Sequence, residues 1–267
     1  MNDQVNIKII IATHKRYVFP NDEIYIPLHV GKVGKEDLEL KGDDTGDNIS
    51  DKNPSYCELT GLYWAWKNLN YDYVGLAHYR RHFSLSIKDD KDNFKNILTS
   101  AEAIDLMSSC DILVPKKRRY YIETLYSHYK NTHYGEHLDY TRKIIEDSYP
   151  NYLQSYDVAV KKTSGYMFNM FVMRIDLLNE YCEWLFAILK ELEKRVDSQG
   201  YSSFHQRFYG RVSEILFNVW LSHKRNENLD IRIKEVNYIH MENINWLKKI
   251  GAFLLAKFSN KKYESSF

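Results

Sequence analysis

Apolar residues fall along this chain in two kinds of run. The first kind is short and unbroken. "VNIKIIIATHK" (5–15) places β-branched side chains at consecutive positions and then turns polar. A strand with one wet face would alternate, so an unbroken run predicts a strand covered on both faces, as in a parallel sheet. "YDYVGLAHYRRHF" (71–83) and "CDILVPKKRRYY" (110–121) have the same form, an apolar stretch running into cations. Residues 21–42 read as short strands and turns around Pro20, Pro27 and Gly31.

The second kind recurs every three or four residues. "SDKNPSYCELTGLYWAWKNLN" (50–70) reads as one helix, with Asn53 as N-cap and Pro54 in the first turn. Leu59, Leu62, Tyr63, Trp66 and Leu69 would share its apolar face. "AIDLMSS" (103–109) is a short helix, and 122–160 is helical, polar and rich in Tyr and His. "YMFNMFVMRIDLLNEYCEWLFAILKELEKRV" (166–196) begins as a strand and becomes a long helix, which Gly200 and Ser202–Ser203 bring to an end. "RVSEILFNVWLSH" (211–223) and the basic "INWLKKIGAFLLAKFSNKKY" (244–263) are further helices. Strands alternating with helices predict an α/β fold with a mostly parallel sheet flanked by helices and a helical C-terminal portion. One domain over 1–240 and an amphipathic helix over 241–267 are expected.

Composition narrows the classes. Three scattered cysteines (Cys57, Cys110, Cys182) without a CxxC argue against a disulfide framework or a zinc ribbon and for a reducing compartment. A net charge of +1 gives no global field to recruit nucleic acid. No window approaches the roughly 20 apolar residues of a membrane span. The N-terminal run follows acidic and amide residues and is too short for a secretory signal. A cytoplasmic protein is therefore expected. In the tail, Trp246, Leu247, Ile250, Phe253, Leu254, Leu255 and Phe258 oppose Lys248, Lys249, Lys257, Lys261 and Lys262. A helix lying on anionic lipid has this form, as does one packed on the domain or on a second subunit. The 22 tyrosines suit stacking on sugar or base rings, though a Tyr-rich background composition gives the same count.

In open α/β sheets ligands bind beyond the carboxyl ends of the strands. Three exits here are basic: Thr13-His14-Lys15-Arg16, His78-Tyr79-Arg80-Arg81-His82 and Lys116-Lys117-Arg118-Arg119. Each alone reads as a solvated strand end. Together on one edge they would form an anion pocket, and guanidinium forks match phosphate oxygens, so a diphosphate is expected. Neither a P-loop nor a GxGxxG is present. The loop "GDDTGDNIS" (42–50) offers Asp43, Asp44, Asp47 and Asn48 as acceptors for ribose or sugar hydroxyls, and an Asx-turn leading into the helix is the alternative. It is not an EF-hand, because Pro54 stands where the twelfth-position Glu is required. His133 to His137 spells HxxEH, but Gly135 weakens the helix that a zinc site of this type needs.

Seven stretches carry a resemblance: "IATHK", "GDDTGDNISDKNPSYCELTGLYWAWKN", "YVGLAHYRRHF", "DILVPKKRRYYIETLYSHY", "MFNMFVM", "EYCEWLF" and "GRVSEILFNVWL". They resemble a bacterial family long labelled only as a domain of unknown function. It occurs in capsule and exopolysaccharide gene clusters and is regarded as a glycosyltransferase family. The likeness spans nearly the whole chain. It implies a GT-A-like fold that transfers a hexose, such as galactose in pyranose or furanose form, from a UDP-sugar to a lipid-linked oligosaccharide. The work would be done at the inner face of the plasma membrane, with homo-oligomerisation left open.

Most GT-A enzymes hold a divalent metal on the diphosphate with D-x-D at the end of a central strand. Here that strand runs into His78-Tyr79-Arg80. No metal cofactor is therefore expected, and Arg80 or Arg81 would neutralise the leaving diphosphate. A manganese-type ion on His78 and a carboxylate of the 43–47 loop is the alternative. Donor contacts are expected from Thr13, His14, Lys15, Asp43, Asp44, Asp47, Asn48, Lys52, Asn53, His78, Tyr79 and Lys116. Acceptor contacts are expected from His128, His133, Tyr166, Asn169 and Arg211, with Tyr166 standing where histidine is commoner in the resembled pattern.

An inverting transfer needs a carboxylate base. Glu214 is assigned that role. It lies off the stripe Val212, Ile215, Leu216, Val219 and Trp220, with Arg211 and Asn218 at i−3 and i+4 to orient it. Asp139, Glu123 and Asp111 are rivals, and a retaining mechanism would need no such base. A non-catalytic nucleotide- or carbohydrate-binding protein and a sugar nucleotidyltransferase are the alternative functions.

Overall fold

The computed structural model describes residues 5–89, 91–227, 230–242 and 257. The helix expected over 241–267 lies outside these, but for Met241, Glu242 and Lys257. Contacts divide the chain into two interleaved units. One comprises Met1–Lys116, Phe168–Cys182 and Asp230–Glu242, the other Lys117–Met167, Glu183–Leu229 and Asn243–Phe267.

The first unit holds the main sheet. Its strands are β1 (Ile7–Thr13), β2 (Tyr25–His29), β3 (Lys41–Gly42), β4 (Tyr73–His78), β5 (Arg81–Ser84), β6 (Ile112–Pro115), β9 (Phe171–Arg174) and β10 (Ile233–His240). The short β7 (Arg118–Arg119) and β8 (Ser164–Gly165) pair separately in the second unit. β1 is the apolar run read from the sequence. Ile9, Ile10 and Ile11 are fully buried, each contributing about 1.5–3 kcal/mol of apolar burial. β1 lies between β2 and β4, parallel to both.

The expectation of a mostly parallel sheet is corrected. The order is β3-β2-β1-β4-β5-β10-β6-β9, and β9 also pairs with β4, so five strands close into a ring. Ladders β1–β2, β1–β4, β2–β3 and β6–β10 are parallel. Ladders β4–β5, β5–β10, β4–β9 and β6–β9 are antiparallel. Two strands cause this, β5 and β9, each running against its neighbours. β5 arises because the chain reverses at Tyr79–Arg80, so "YVGLAHYRRHF" is two strands rather than one, with His78 opposite Arg81. β9 fits beside β4 because Gly75 has no side chain. A Cβ there would stand 2.8 Å from the Phe171 carbonyl oxygen.

The helical stretch 50–70 is also divided. α1 (Asn53–Tyr56) ends where Cys57 takes φ 56, and α2 (Leu59–Asn68) follows. Asn53 does not cap: its side-chain amide donates to the Cys57 carbonyl at 2.8 Å. Trp64, rather than Trp66, faces the core of α2. Helix α3 (Ser100–Ser109) starts with a Thr99–Glu102 capping box.

In the second unit, α4 (Leu125–Thr132), α5 (Glu136–Ser148), α6 (Leu153–Val160), the turn α8 (Ser203–Gln206) and α9 (Phe208–Asn226) form a helical layer. Helix α7 (Ile175–Arg195) begins in the first unit and ends in the second. The stripe Val212, Ile215, Leu216, Val219 and Trp220 on α9 is buried as read. No described helix is long and apolar enough to cross a membrane.

His82 is not part of a solvated exit. It is wholly inaccessible in the core, ring to ring with Tyr25 at 6.1 Å. Burial pushes its pKa down from 6.5 to about 4, against a smaller opposing pull from the Tyr79 backbone. Between those values the unfolded chain binds the proton and the folded one does not, so stability falls as pH drops from about 6.5 towards 4, by up to about 3 kcal/mol. Melting curves should show His82→Leu losing less stability over this window than the parent. Parallel losses would contradict the assignment.

Candidate functional site at the carboxyl end of the sheet

The first unit gathers cations and aromatic rings where β1 and β4 end. Thr13 is buried, and its hydroxyl donates to the Lys15 carbonyl at 2.7 Å. That turn leaves His14 and Lys15 exposed. The Tyr79 amide continues the β4 ladder by donating to the Ala12 carbonyl (3.2 Å), which buries the Tyr79 ring between the two exits. Around it stand His78 (ring centroids 4.4 Å), Tyr17 (4.9 Å) and His14 (5.4 Å). Lys15 Nζ lies 4.9 Å and Arg80 Cζ 5.4 Å from its centre.

Arg80 is anchored by its backbone. Its amide donates to His78 Nδ1 (3.3 Å), and its carbonyl accepts from Met241 (3.0 Å). Its Nε is buried without a hydrogen-bond partner among the described residues. A buried unmet donor is costly, so this geometry suits an incoming acceptor. One carboxylate bridges the two cations: Glu242 lies 3.4 Å from Lys15 Nζ and 4.0 Å from an Arg80 nitrogen. Burial works against the Lys15 charge, but Tyr79 and Glu242 outweigh it and hold the pKa above the ordinary lysine value. Glu242 thus sits where an external anion would meet both cations.

Other expected donor contacts lie elsewhere in the unit. Arg81 opens β5 and covers the Phe168 ring at 4.5 Å. Lys116 is exposed at the end of β6. Lys52 lies 5.6 Å from the Tyr56 ring centre, and Asn53 holds the chain around Cys57. The acidic loop is corrected. Asp43 is fully buried and accepts from the Gly31 and Lys32 amides and the Ser50 hydroxyl. Asp47 accepts from the Tyr63 hydroxyl (3.1 Å), and Asn68 donates to the Asp47 carbonyl (2.9 Å). Asn48 makes the local turn, accepting from the Ser50 amide and donating to the Gly46 carbonyl. Gly46 takes φ 59, and a Cβ there would stand 1.9 Å from Asn68 Oδ1. Asp47 therefore ties the loop to α2, Asp43 ties it to the Gly31–Lys32 turn, Asn48 shapes it locally, and Asp44 is half-buried.

His78 Nδ1 accepts from the Arg80 amide, and the Asp43 and Asp47 carboxylates are engaged as above. Among the described residues no three His, Cys, Asp or Glu side chains converge for a metal.

Four residues here escaped sequence reasoning: Tyr17, Glu58, Phe168 and Glu242. Asn169, expected on the acceptor side, is buried in this first unit, and its Nδ2 donates to Glu58 Oε1 at 2.8 Å. The sequence signal for Glu58 was no more than an acidic residue inside a stretch read as one apolar helix.

The second unit has its own polar cluster. Glu123 is buried and accepts from His128 Nδ1 (2.7 Å) and Asn131 Nδ2 (2.6 Å). His128 stacks on Tyr120 with centroids 4.2 Å apart. Burial holds the His128 imidazole pKa down to about 4, against the pull of Glu123. His133 is buried among Tyr129, Phe204 and His205. Burial and then the Arg211 charge push its pKa well down. Arg211 donates to the Phe204 carbonyl (3.0 Å) and covers the Phe204 ring at 3.9 Å.

The HxxEH pair is not on one helix. His133 ends α4, while His137, inside α5, meets the Tyr129 and Tyr201 hydroxyls. Tyr166 is buried, its backbone clasped by the Asn218 side chain at 2.9 and 2.8 Å. Glu214 is half-buried on α9. Asn218, expected to orient its carboxylate, donates to its main-chain carbonyl instead (2.7 Å). Asp139 accepts from the Tyr126 hydroxyl (2.9 Å).

A family model described as "Domain of unknown function (DUF4422)" matches residues 8–226. No curated protein matches. Among solved structures, the apo form of the bifunctional glycosyltransferase WbbM is similar over 89% of this chain, at 35% identity and a TM-score of 0.83. That match takes in 46% of the WbbM chain, so the present chain spans about half its length.

Proposed function

We propose, for a chain that belongs to the family described as Domain of unknown function (DUF4422), a glycosyltransferase acting on a UDP-hexose. The observation that carries this reading is the match to WbbM over 89% of the chain. The Tyr79-centred cluster supports it independently, since it offers cations and an unmet guanidinium donor at the strand end.

In this reading His14, Lys15 and Arg80 grip the donor pyrophosphate. The Arg80 Nε donor takes a phosphate oxygen, and its fixed charge meets the charge that develops on the leaving UDP. Glu242 is the counter-ion that the pyrophosphate displaces. Half-buried Tyr17 presents its ring to the nucleotide, with the buried Tyr79 ring as its backing. Glu214 is proposed as the base that takes the acceptor proton, and a lipid-linked saccharide as the acceptor. Galactose is the proposed hexose, capsule or exopolysaccharide synthesis the setting, and inversion the stereochemical outcome.

The test is release of UDP when the protein meets UDP-galactose and a lipid-linked saccharide extract. UDP release that needs both substrates is expected. Binding without release would favour a carbohydrate-binding protein, and release of pyrophosphate a nucleotidyltransferase. A smaller effect is expected at the counter-ion. Glu242→Gln should tighten UDP binding severalfold, because a displaced ion pair of this exposure is worth about 0.2–1 kcal/mol. Calorimetry showing weaker binding would contradict its role as a stand-in.

A further inference from the structure

Two strained stretches of backbone meet at the carboxyl end of β4, and neither the fold nor the diphosphate site accounts for them. Cys57 holds φ 56 and ψ −132, the mirror image of extended backbone and a region left almost wholly to glycine. Phe168 and Asn169 hold φ 80 and φ 54 in succession. Asparagine visits that region readily, but phenylalanine does not. Such outliers persist only where the surroundings enforce them, and they cluster at functional sites.

A hydrogen bond joins the two stretches. Asn169 Nδ2 donates to Glu58 Oε1 at 2.8 Å, and Glu58 directly follows Cys57. Glu58 stands at the N-cap of α2, yet its side chain caps nothing. Instead the Cys57 conformation sends its carboxylate to Asn169. It makes no ion pair among the described residues, although it is half-buried. A ring contact places the pair. The Arg81 guanidinium covers the Phe168 ring at 4.5 Å, so Asn169, the next residue, lies near the turn that carries Tyr79 and Arg80.

A carboxylate next to a diphosphate site would repel a phosphate. Its partner must therefore be a neutral group that donates hydrogen bonds, held just beyond the diphosphate. In a sugar nucleotide that group is the hexose. We propose that Glu58 and Asn169 form a hydroxyl clamp for the transferred hexose, the carboxylate accepting from one sugar hydroxyl and the side-chain amide meeting its neighbour. The clamp rests on the glycosyltransferase reading. It assigns Asn169 to the donor sugar, and it makes the Cys57 and Phe168 strain the means by which two loops are aimed at one diol.

The experiment compares calorimetric affinities for UDP with those for UDP-glucose, UDP-galactose and UDP-N-acetylglucosamine. Wild type, Glu58→Gln and Asn169→Gly are each titrated. Glycine accepts φ 54 without strain, so Asn169→Gly keeps the backbone while removing the amide. Wild type should bind one UDP-hexose more tightly than UDP. In both variants that advantage should drop about tenfold or more, as expected when a charge-assisted hydrogen bond is lost, while UDP affinity holds. If both variants keep the hexose advantage, or lose UDP affinity in parallel, the clamp is wrong and the pair is structural. If wild type binds neither UDP nor any of the three sugars, the glycosyltransferase reading fails and the clamp with it.

Discussion

Arg80→Gln is expected to slow UDP release at saturating donor by about 10²–10³-fold, the usual effect of removing one preorganised donor from a developing negative charge. Three features make the expectation large. The side chain is two-thirds covered (33% exposed), so its charge is only partly screened. Its Nε lacks a hydrogen-bond partner among the described residues, so only the exposed Glu242 ion pair at 4.0 Å must give way before the guanidinium serves a phosphate. Its backbone is pinned on both sides, by His78 and Met241, so the point from which the guanidinium reaches is fixed as the charge forms. Arg80→Lys should fall between the two, because an ammonium keeps the charge but not the planar fork. Steady-state assays separating kcat from KM check this. A loss confined to KM would mean that Arg80 binds ground state and transition state alike.

The second large effect concerns stability. Asp111, one of the rival bases, is a structural hub of the first unit. Its side chain is 4% exposed and contacts both Arg174 and Arg232. It also accepts from the Arg232 amide at 2.9 Å. These bonds tie the starts of β6 and β10 to the end of β9. Removing one partner of a buried ion pair costs about 3–5 kcal/mol. Both arginines are 41% exposed or more, so solvent screening lowers the expected loss for Asp111→Ala to about 2–3 kcal/mol.

The pH dependence has a definite sign. Burial pushes the Asp111 carboxyl pKa up, but the Arg232 hydrogen bonds and the Arg174 charge outweigh it, so the net pKa is lowered. Its contribution is therefore present above the unfolded value of about 4 and lost as pH falls through the folded one. Denaturant titration of Asp111→Asn should show less acid sensitivity than the parent. An unchanged midpoint at neutral pH would remove Asp111 from the hub.

What could be read from the chain depended on how local each signal was. β1 and α9 were legible because burial on both faces, or along one stripe, writes an unbroken or 3.6-residue pattern. β10 was not read as a strand. Only Val236 and Ile239 are buried along it, too few to show a period. Its partner β5 was hidden inside "HYRRHF", where the chain reverses without Gly or Pro. The single helix expected over 50–70 failed at Cys57, a residue whose type gives no warning of a positive φ.

At the candidate site, His14, Lys15 and Arg80 could be proposed because cations follow two apolar runs. Glu242 could not, being distant in sequence. Asp43 misled for a physical reason: a demand for acceptors looks the same whether backbone amides or a sugar make it. The Glu58–Asn169 bond joins residues from two motifs far apart in the chain, and only the fold brings them together.

The most direct measurement is the affinity for UDP and for uridine, by calorimetry in EDTA, of wild type, Lys15→Gln and Arg80→Gln. If cations at the strand ends grip the pyrophosphate, wild type will bind UDP far more tightly than uridine without metal, and each variant will lose that margin while still binding uridine. Equal affinity for the two in wild type, or a margin untouched by either substitution, would contradict the account.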